Sequence, residues 1–291
     1  MSSLSQVLTF LFLLKNCFAS YDVPANFVFG DSLVDVGNNN YIVSLSKANY
    51  VPNGIDFGVP TGQELGFKGF SPPYLAPTTR GNSILQGVNY ASGGGGILNQ
   101  TGKIFGGRIN MDAQLDNFAN TRQDIISTIG EPATLQLLRR KIIVANVGPV
   151  GCIPYQRDTN PSAGESCVSL PNQMAQLFNT ELKGLIAELS TSLQESKFVY
   201  SDVYRIVADI LENYRSYGFE IANSSCCYVA GTHGGLIPCG PSSKVCSDRS
   251  KYVFWDPYHP SEATNIIIAK RLLDGDSDDI SPMNVRQLAQ V

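Results

Sequence analysis

Histidine is scarce in this 291-residue chain, which has only His233 and His259, and tryptophan is scarcer still, with Trp255 alone. Seven cysteines include no paired C-x-x-C, so with so few imidazoles a His/Cys zinc site is not expected, and no cofactor is. A basic run is also missing: 21 Lys and Arg against 25 Asp and Glu leave a net charge of −4, which gives nucleic acid or an anionic membrane no electrostatic footprint. No stretch reaches the roughly 18 consecutive apolar residues of a membrane helix. The only strongly apolar run, Val7 to Leu14 in "MSSLSQVLTFLFLLKNCFAS", is short and is followed by small residues up to Ala19. That is the layout of a cleavable secretory signal over residues 1–20, leaving 21–291 as one secreted, extracellular domain, expected to be a monomer without integral membrane association.

Loss of Cys17 with that leader leaves Cys152, Cys167, Cys226, Cys227, Cys239 and Cys246, an even set suited to an oxidising compartment. Six cysteines allow about 15 connectivities. Cys152 and Cys167 are the most local pair, and the other four would staple the 226–246 region. Two N-glycosylation sequons, at Asn99 and Asn223, agree with export.

Apolar runs bounded by polar turns predict strands at 26–30, 141–147 and 197–204. Between the last two, Met174, Leu177, Phe178, Leu182, Leu185, Ile186, Leu189 and Leu193 recur at helical spacing and form one apolar stripe. Further helices fit 112–128 and 261–273. Strands alternating with helices predict a three-layer α/β/α sandwich with a mainly parallel sheet.

In such sheets the chemistry gathers at the carboxyl ends of strands. Gly30-Asp31-Ser32 stands at one such end in "FVFGDSLVDVGNNNY". Ser32 reads either as a helix cap or as a nucleophile whose own N–H, near a helix start, faces a developing anion. A base settles which. His259, in "FWDPYHPSEA", has Asp256 three residues before it, and a turn at Pro257 brings that carboxylate to the far nitrogen of the ring. An Asp there fixes the tautomer and stabilises the imidazolium formed when His accepts the serine proton. His233 has no acidic residue within ten positions on either side and reads as part of a disulfide loop.

The segments "VFGDSLVDVGNNNYI", "GVNYASGGGGILNQTG", "VANVGPVGCIPYQ" and "VFWDPYHPSEATN", in that order over about 24–270, resemble the plant GDSL esterase/lipases of the SGNH hydrolase superfamily. The resemblance implies a flavodoxin-like sandwich, secretion, and hydrolysis of acyl esters or lipids by Ser32 with His259 as base and Asp256 as its orienter. It also implies an oxyanion hole from the N–H groups of Ser32 and Gly93, with Gly94 the alternative if the register differs by one.

Two departures stand out. The family's G-x-N-D segment, which ends a strand and lends an amide to the oxyanion hole, has no counterpart: "GEPATLQLL" runs directly into "RRKIIVANV". A basic segment ahead of "GQELGF" is short as well, so internal deletions are placed near 61–62 and 138–140, and one strand of the family fold is expected to be lacking. Asn38, Asn39 and Asn40 are the nearby amides that would have to replace the missing one. Phe57, Phe67, Phe70 and Tyr74 either fill the core or line an acyl site. Two readings follow: an impaired secreted esterase, or a non-catalytic or alternatively spliced family member.

Overall fold

The computed structural model describes residues 25–57, 71–138 and 141–291. The expected leader over 1–20, Phe67, Phe70, the junction near 61–62 and positions 139–140 of the second junction lie outside the described residues. Helices and strands follow as α1 (Met111–Ile129), α2 (Glu131–Leu137), β1 (Lys141–Ala145), α3 (Pro154–Thr159), α4 (Ser169–Ser192), β2 (Lys197–Ser201) and α5 (Val203–Glu212). Then come β3 (Ile221–Ser225), β4 (Cys227–Tyr228), β5 (Lys244–Val245), β6 (Tyr252–Phe254), α6 (Glu262–Asp274), β7 (Ile280–Ser281) and α7 (Val285–Gln290).

Strand pairing is mostly parallel. β1 and β2 run side by side from Lys141↔Lys197 to Ala145↔Ser201, and β3 pairs with β6. β7 adds an antiparallel edge to β2. The segment leading to Ser32 lies parallel to residues 86–92: the Val28 N–H donates to the Val88 carbonyl at 3.0 Å, and the Tyr90 N–H donates to Val28 at 2.8 Å. On its far side residue 89 pairs with residues 72–74. This mixed α/β content with mostly parallel pairs is that of a three-layer α/β/α fold.

The apolar interior is divided. Ile84, Val88, Tyr90 and Ile125 form one cluster, joined by Phe27, Phe29, Tyr74 and Phe118. Tyr74 therefore belongs to the core. The other clusters draw only on residues after 141: Ile206, Ile210, Phe219, Val253 and Phe254 in one, Ile186, Phe198 and Tyr200 in another, and Val199, Ile280 and Leu288 in a third. Polar links join the two regions, among them Asp56 to Arg249 and the Trp255 indole N–H donating to Asn53 Oδ1 at 3.1 Å.

The helix α4 departs from expectation. Only part of its apolar stripe is covered: Leu182, Ile186 and Leu189 pack on Phe198 and Tyr200, whereas Met174, Leu177 and Leu185 are 63%, 69% and 50% exposed. The reason is geometric, because one β-sheet face covers only the inward side of so wide a stripe and no second element among the described residues covers the rest.

The disulfides are Cys152–Cys167, Cys226–Cys246 and Cys227–Cys239. The local pair thus forms as expected, and the structure chooses one of the three pairings open to the other four. Ser261 caps α6 by accepting the Thr264 N–H at 3.2 Å. Ser261→Ala is expected to cost about 1 kcal/mol, read as a lower urea midpoint at unchanged slope.

Candidate active site

The strand expected over 26–30 is reduced to a single bridge between Val28 and Asn89, and Gly30 ends that segment at φ +152°, where an added Cβ would meet Val34 Cγ2 at 2.8 Å. The fully buried Gln114 clasps this glycine, accepting its N–H at 2.9 Å and donating to its carbonyl at 2.8 Å. Gln114 carried no sequence signal, since a polar residue in the first turn of α1 reads as solvated. Beyond Gly30 the chain forms a side-chain turn, in which Asp31 Oδ1 accepts the Leu33 N–H at 3.0 Å, followed by a single 3-10 turn at Asn38–Tyr41. The expected helix start at Ser32 is not there, because Asp31 closes the turn locally before a helix can propagate. Ser32 is accordingly not a helix cap.

Its hydroxyl instead lies 2.8 Å from His259 Nε2. His259 Nδ1 is 2.9 and 2.8 Å from the two oxygens of Asp256. Asp256 is buried, and its Oδ1 also accepts the N–H groups of Tyr258 and His259, each at 2.8 Å. Burial alone would raise the pKa of this carboxyl, but the imidazole and those two N–H groups outweigh it and hold Asp256 below the ordinary carboxylate range. The loop is pinned at both ends: the Trp255 N–H donates to the His259 carbonyl at 2.9 Å, and the Ser261 N–H donates to Val253 at 2.8 Å. From outside, the Tyr155 N–H holds the Pro257 carbonyl at 3.0 Å, and the Tyr155 and Tyr258 rings meet at 5.0 Å. Burial, with Tyr155 and Asp256 adding to it, pushes the Tyr258 hydroxyl up to about 12.

The glycine loop approaches from the other side. The Gly93 N–H donates to Asp35 Oδ2 at 2.9 Å, so this donor is already engaged. Asp35 is buried and also accepts the N–H groups of Gly37 and Asn38, each at 2.8 Å. Desolvation raises its pKa in spite of these donors. Neither Ser32 N–H nor Gly94 N–H has an acceptor among the described residues. The asparagines are structural: Asn38 Nδ2 holds the carbonyls of Asn89 and Ala91, and Asn39 Nδ2 holds those of Gly93 and Ser46. Neither amide is available to a substrate oxygen.

His233 does have an acidic partner, Asp158, 75 positions upstream and 3.0 Å from Nδ1. Asp158 also accepts the N–H groups of His233 and Gly235, which together with the ring outweigh its burial and keep its pKa low. This pair closes the disulfide loop and does not touch Ser32. Asn99 sits on an exposed turn, whereas Asn223 lies in β3 with its amide donating to Glu165 Oε2 at 3.0 Å. No group of three or more metal-ligating side chains occurs among the described residues, and no helix there is long and apolar enough to cross a membrane.

Comparison with known proteins bears on this site. The model of the GDSL-like lipase/acylhydrolase family matches residues 109–272. A GDSL esterase/lipase of Arabidopsis thaliana is 53% identical over 353 residues, covering 98% of this chain and 96% of the relative. A second from the same plant is 41% identical over 91% of this chain and 87% of its own length, and GDSL esterase/lipase 7 is 35% identical over 92% of each.

Proposed function

Since this chain belongs to the GDSL-like lipase/acylhydrolase family, we propose that it is a secreted serine esterase in which Ser32, His259 and Asp256 cleave carboxylic esters. The unbroken hydrogen-bond chain from Ser32 Oγ through the imidazole to a buried carboxylate carries this reading. As Oγ bonds to the acyl carbon, its proton passes to His259 Nε2 and the carbonyl electron pair moves onto oxygen. Collapse expels the alcohol, which takes the proton back from Nε2–H. Water then repeats the sequence on the acyl-enzyme and releases the acid. Asp256 holds the ring throughout and stays ionised.

The oxyanion needs donors where charge develops. The Ser32 N–H is one. Gly93 provides a second only when Asp35 releases its N–H, and Gly94, with a free N–H next to it, is the alternative. Asn38 and Asn39 are committed elsewhere, so neither of these two amides takes the place of the family's asparagine. Loss of one such donor typically costs about 10²–10³ in rate, so turnover is expected to be slow. The 353-residue alignment is longer than this 291-residue chain, as internal deletions relative to that relative require, and we place those deletions near 61–62 and 138–140. Export by residues 1–20 and glycosylation at Asn99 complete the proposal, Asn99 being the more accessible of the two sequons.

The exposed face of α4 favours a second reading, a shortened family member that lacks activity. A fluorophosphonate probe separates the two, because its phosphorus is attacked only by an activated serine, with fluoride leaving. Labelling of the folded protein that disappears in Ser32→Ala and after urea denaturation is expected. Equal labelling of Ser32→Ala would sink the assignment, and a folded protein that takes no label would support the second reading.

A further inference from the structure

The net charge of −4 hides a local reversal. Residues 36–55 and 93–111, within the loops that follow Ser32 and the glycine run, contain Lys47, Lys103 and Arg108 and no carboxylate, while of the flanking acids Asp35 is buried on Gly93, Asp56 pairs with Arg249 and Asp112 opens α1. The same two loops carry the three most exposed large apolar side chains among the described residues, Val43, Ile104 and Leu45 at 93%, 79% and 78%, with Leu98 and Ile97 beside them at 67% and 57%. They are knitted into one surface. The Leu45 N–H donates to the Phe105 carbonyl at 2.8 Å, and the Gly107 N–H donates to Val43 at 2.8 Å, so Val43 and Leu45, two residues apart, share a side of that ladder. Arg108 Nε holds the Thr101 carbonyl at 2.9 Å, and its guanidinium also reaches Asn99, which fixes the turn bearing Ile97 and Leu98. Asn39 Nδ2 ties this surface to the reaction centre, bonding Ser46 on one loop at 3.1 Å and Gly93 on the other at 2.7 Å.

An apolar patch of this kind is costly in water unless something covers it, and cations around it select what does. We propose that these two loops dock the protein onto an ester-lipid surface bearing anionic headgroups, with the apolar side chains entering the acyl layer and Lys47, Lys103 and Arg108 meeting the headgroups. Substrate is then taken from that surface into the Ser32 site rather than from dilute solution. This deepens the esterase reading and rests on it for its purpose, while the docking itself requires no catalysis.

The test uses Ser32→Ala combined with Asn99→Gln, so that neither turnover nor a glycan beside the patch intervenes. That protein is expected to co-sediment with phosphatidylcholine vesicles containing phosphatidylglycerol, less well with phosphatidylcholine alone, and less well as salt is raised. Leu45→Ser should weaken binding about tenfold, and Lys103→Gln about fivefold, in variants shown by thermal melting to be folded. Leu177→Ser, on the exposed face of α4, should leave it unchanged. Binding indifferent to Leu45→Ser, or weakened as much by Leu177→Ser, would overturn the proposal. So would a Leu45→Ser variant that turns a dimer into a monomer in ultracentrifugation and leaves vesicle binding intact, since a second copy would then be the occupant. Absent vesicle binding alongside intact fluorophosphonate labelling of the wild type defeats docking alone, whereas binding without labelling upholds docking and defeats the esterase reading.

Discussion

His259→Ala is expected to lower hydrolysis of a soluble ester such as p-nitrophenyl butyrate by about 10⁶ in kcat, because serine, base and orienter act as one unit. Asp256→Asn should cost about 10⁴, since the amide presents a donor to a ring nitrogen that must itself donate and so favours the wrong tautomer. Both variants keep the hydrogen bonds from Gly30 to Gln114 and the pinned loop around Trp255, so both should still unfold in one cooperative transition, with melting temperatures lowered by the loss of the charged contacts of Asp256. Rates unchanged in His259→Ala would refute the mechanism. The pH profile offers an independent check. Asp256 is held below the ordinary carboxylate range, so its charge persists above pH ~4 and is lost only as the pH falls further. An acid limb at or above neutrality's lower edge, near pH 6, therefore belongs to another group, and a limb that appeared only below pH ~4 would implicate the carboxylate.

Arg271→Met is expected to produce the largest loss of stability, about 3 kcal/mol by urea unfolding near neutral pH, against a total of roughly 5–15 kcal/mol. On α6 this guanidinium reaches Asp279 through Nε at 2.7 Å and Nη2 at 2.5 Å, and Asp209 on α5 through Nη1 at 2.5 Å. Asp279 is buried, so removing the cation strands its charge, and only the contact with Arg205 at 2.7 Å keeps the cost from being higher. The pKa of Asp209 is lowered first by the Tyr217 hydroxyl and then by Asn213 and Arg271, despite some desolvation. A depressed carboxylate stabilises above its unfolded pKa and ceases to as the pH falls through its folded one, so the Arg271→Met penalty should shrink below pH ~4. Arg286→Ala provides the contrast: its pair with Asp274 is about half exposed on both sides, so water and salt screen it and only a small fraction of the Arg271→Met loss is expected. A loss from Arg271→Met no larger than that from Arg286→Ala would show the cluster to be ornamental.

Much of the site was legible in the residues because its partners are neighbours in sequence. Asp256 and His259 lie within one turn, so spacing alone placed carboxylate on imidazole, and Cys152 and Cys167 are close enough that proximity chose their bond. The amphipathic helices were read within a residue or two at 112–128 and 261–273. What escaped was long-range or collective. Asp158 and His233 are 75 positions apart, and Gln114 reaches back 84 to Gly30. Charge arithmetic over the whole chain concealed a basic, apolar face that forms only when residues 43–45 and 105–107 pair.

The sequence by itself determined the main helices and the placing of Asp256 on His259, because local periodicity and short spacings set backbone geometry before the chain folds, and it singled out Ser32 as their candidate partner. Tertiary structure alone decided which hydrogen-bond donors are spent. The Gly93 N–H is taken by Asp35 and the amides of Asn38 and Asn39 by loop carbonyls, since a buried donor or acceptor left unpaired costs about 1–3 kcal/mol and therefore finds whichever partner packing brings near. Such partners come from segments more than fifty residues apart, and only the folded chain brings them within 3 Å.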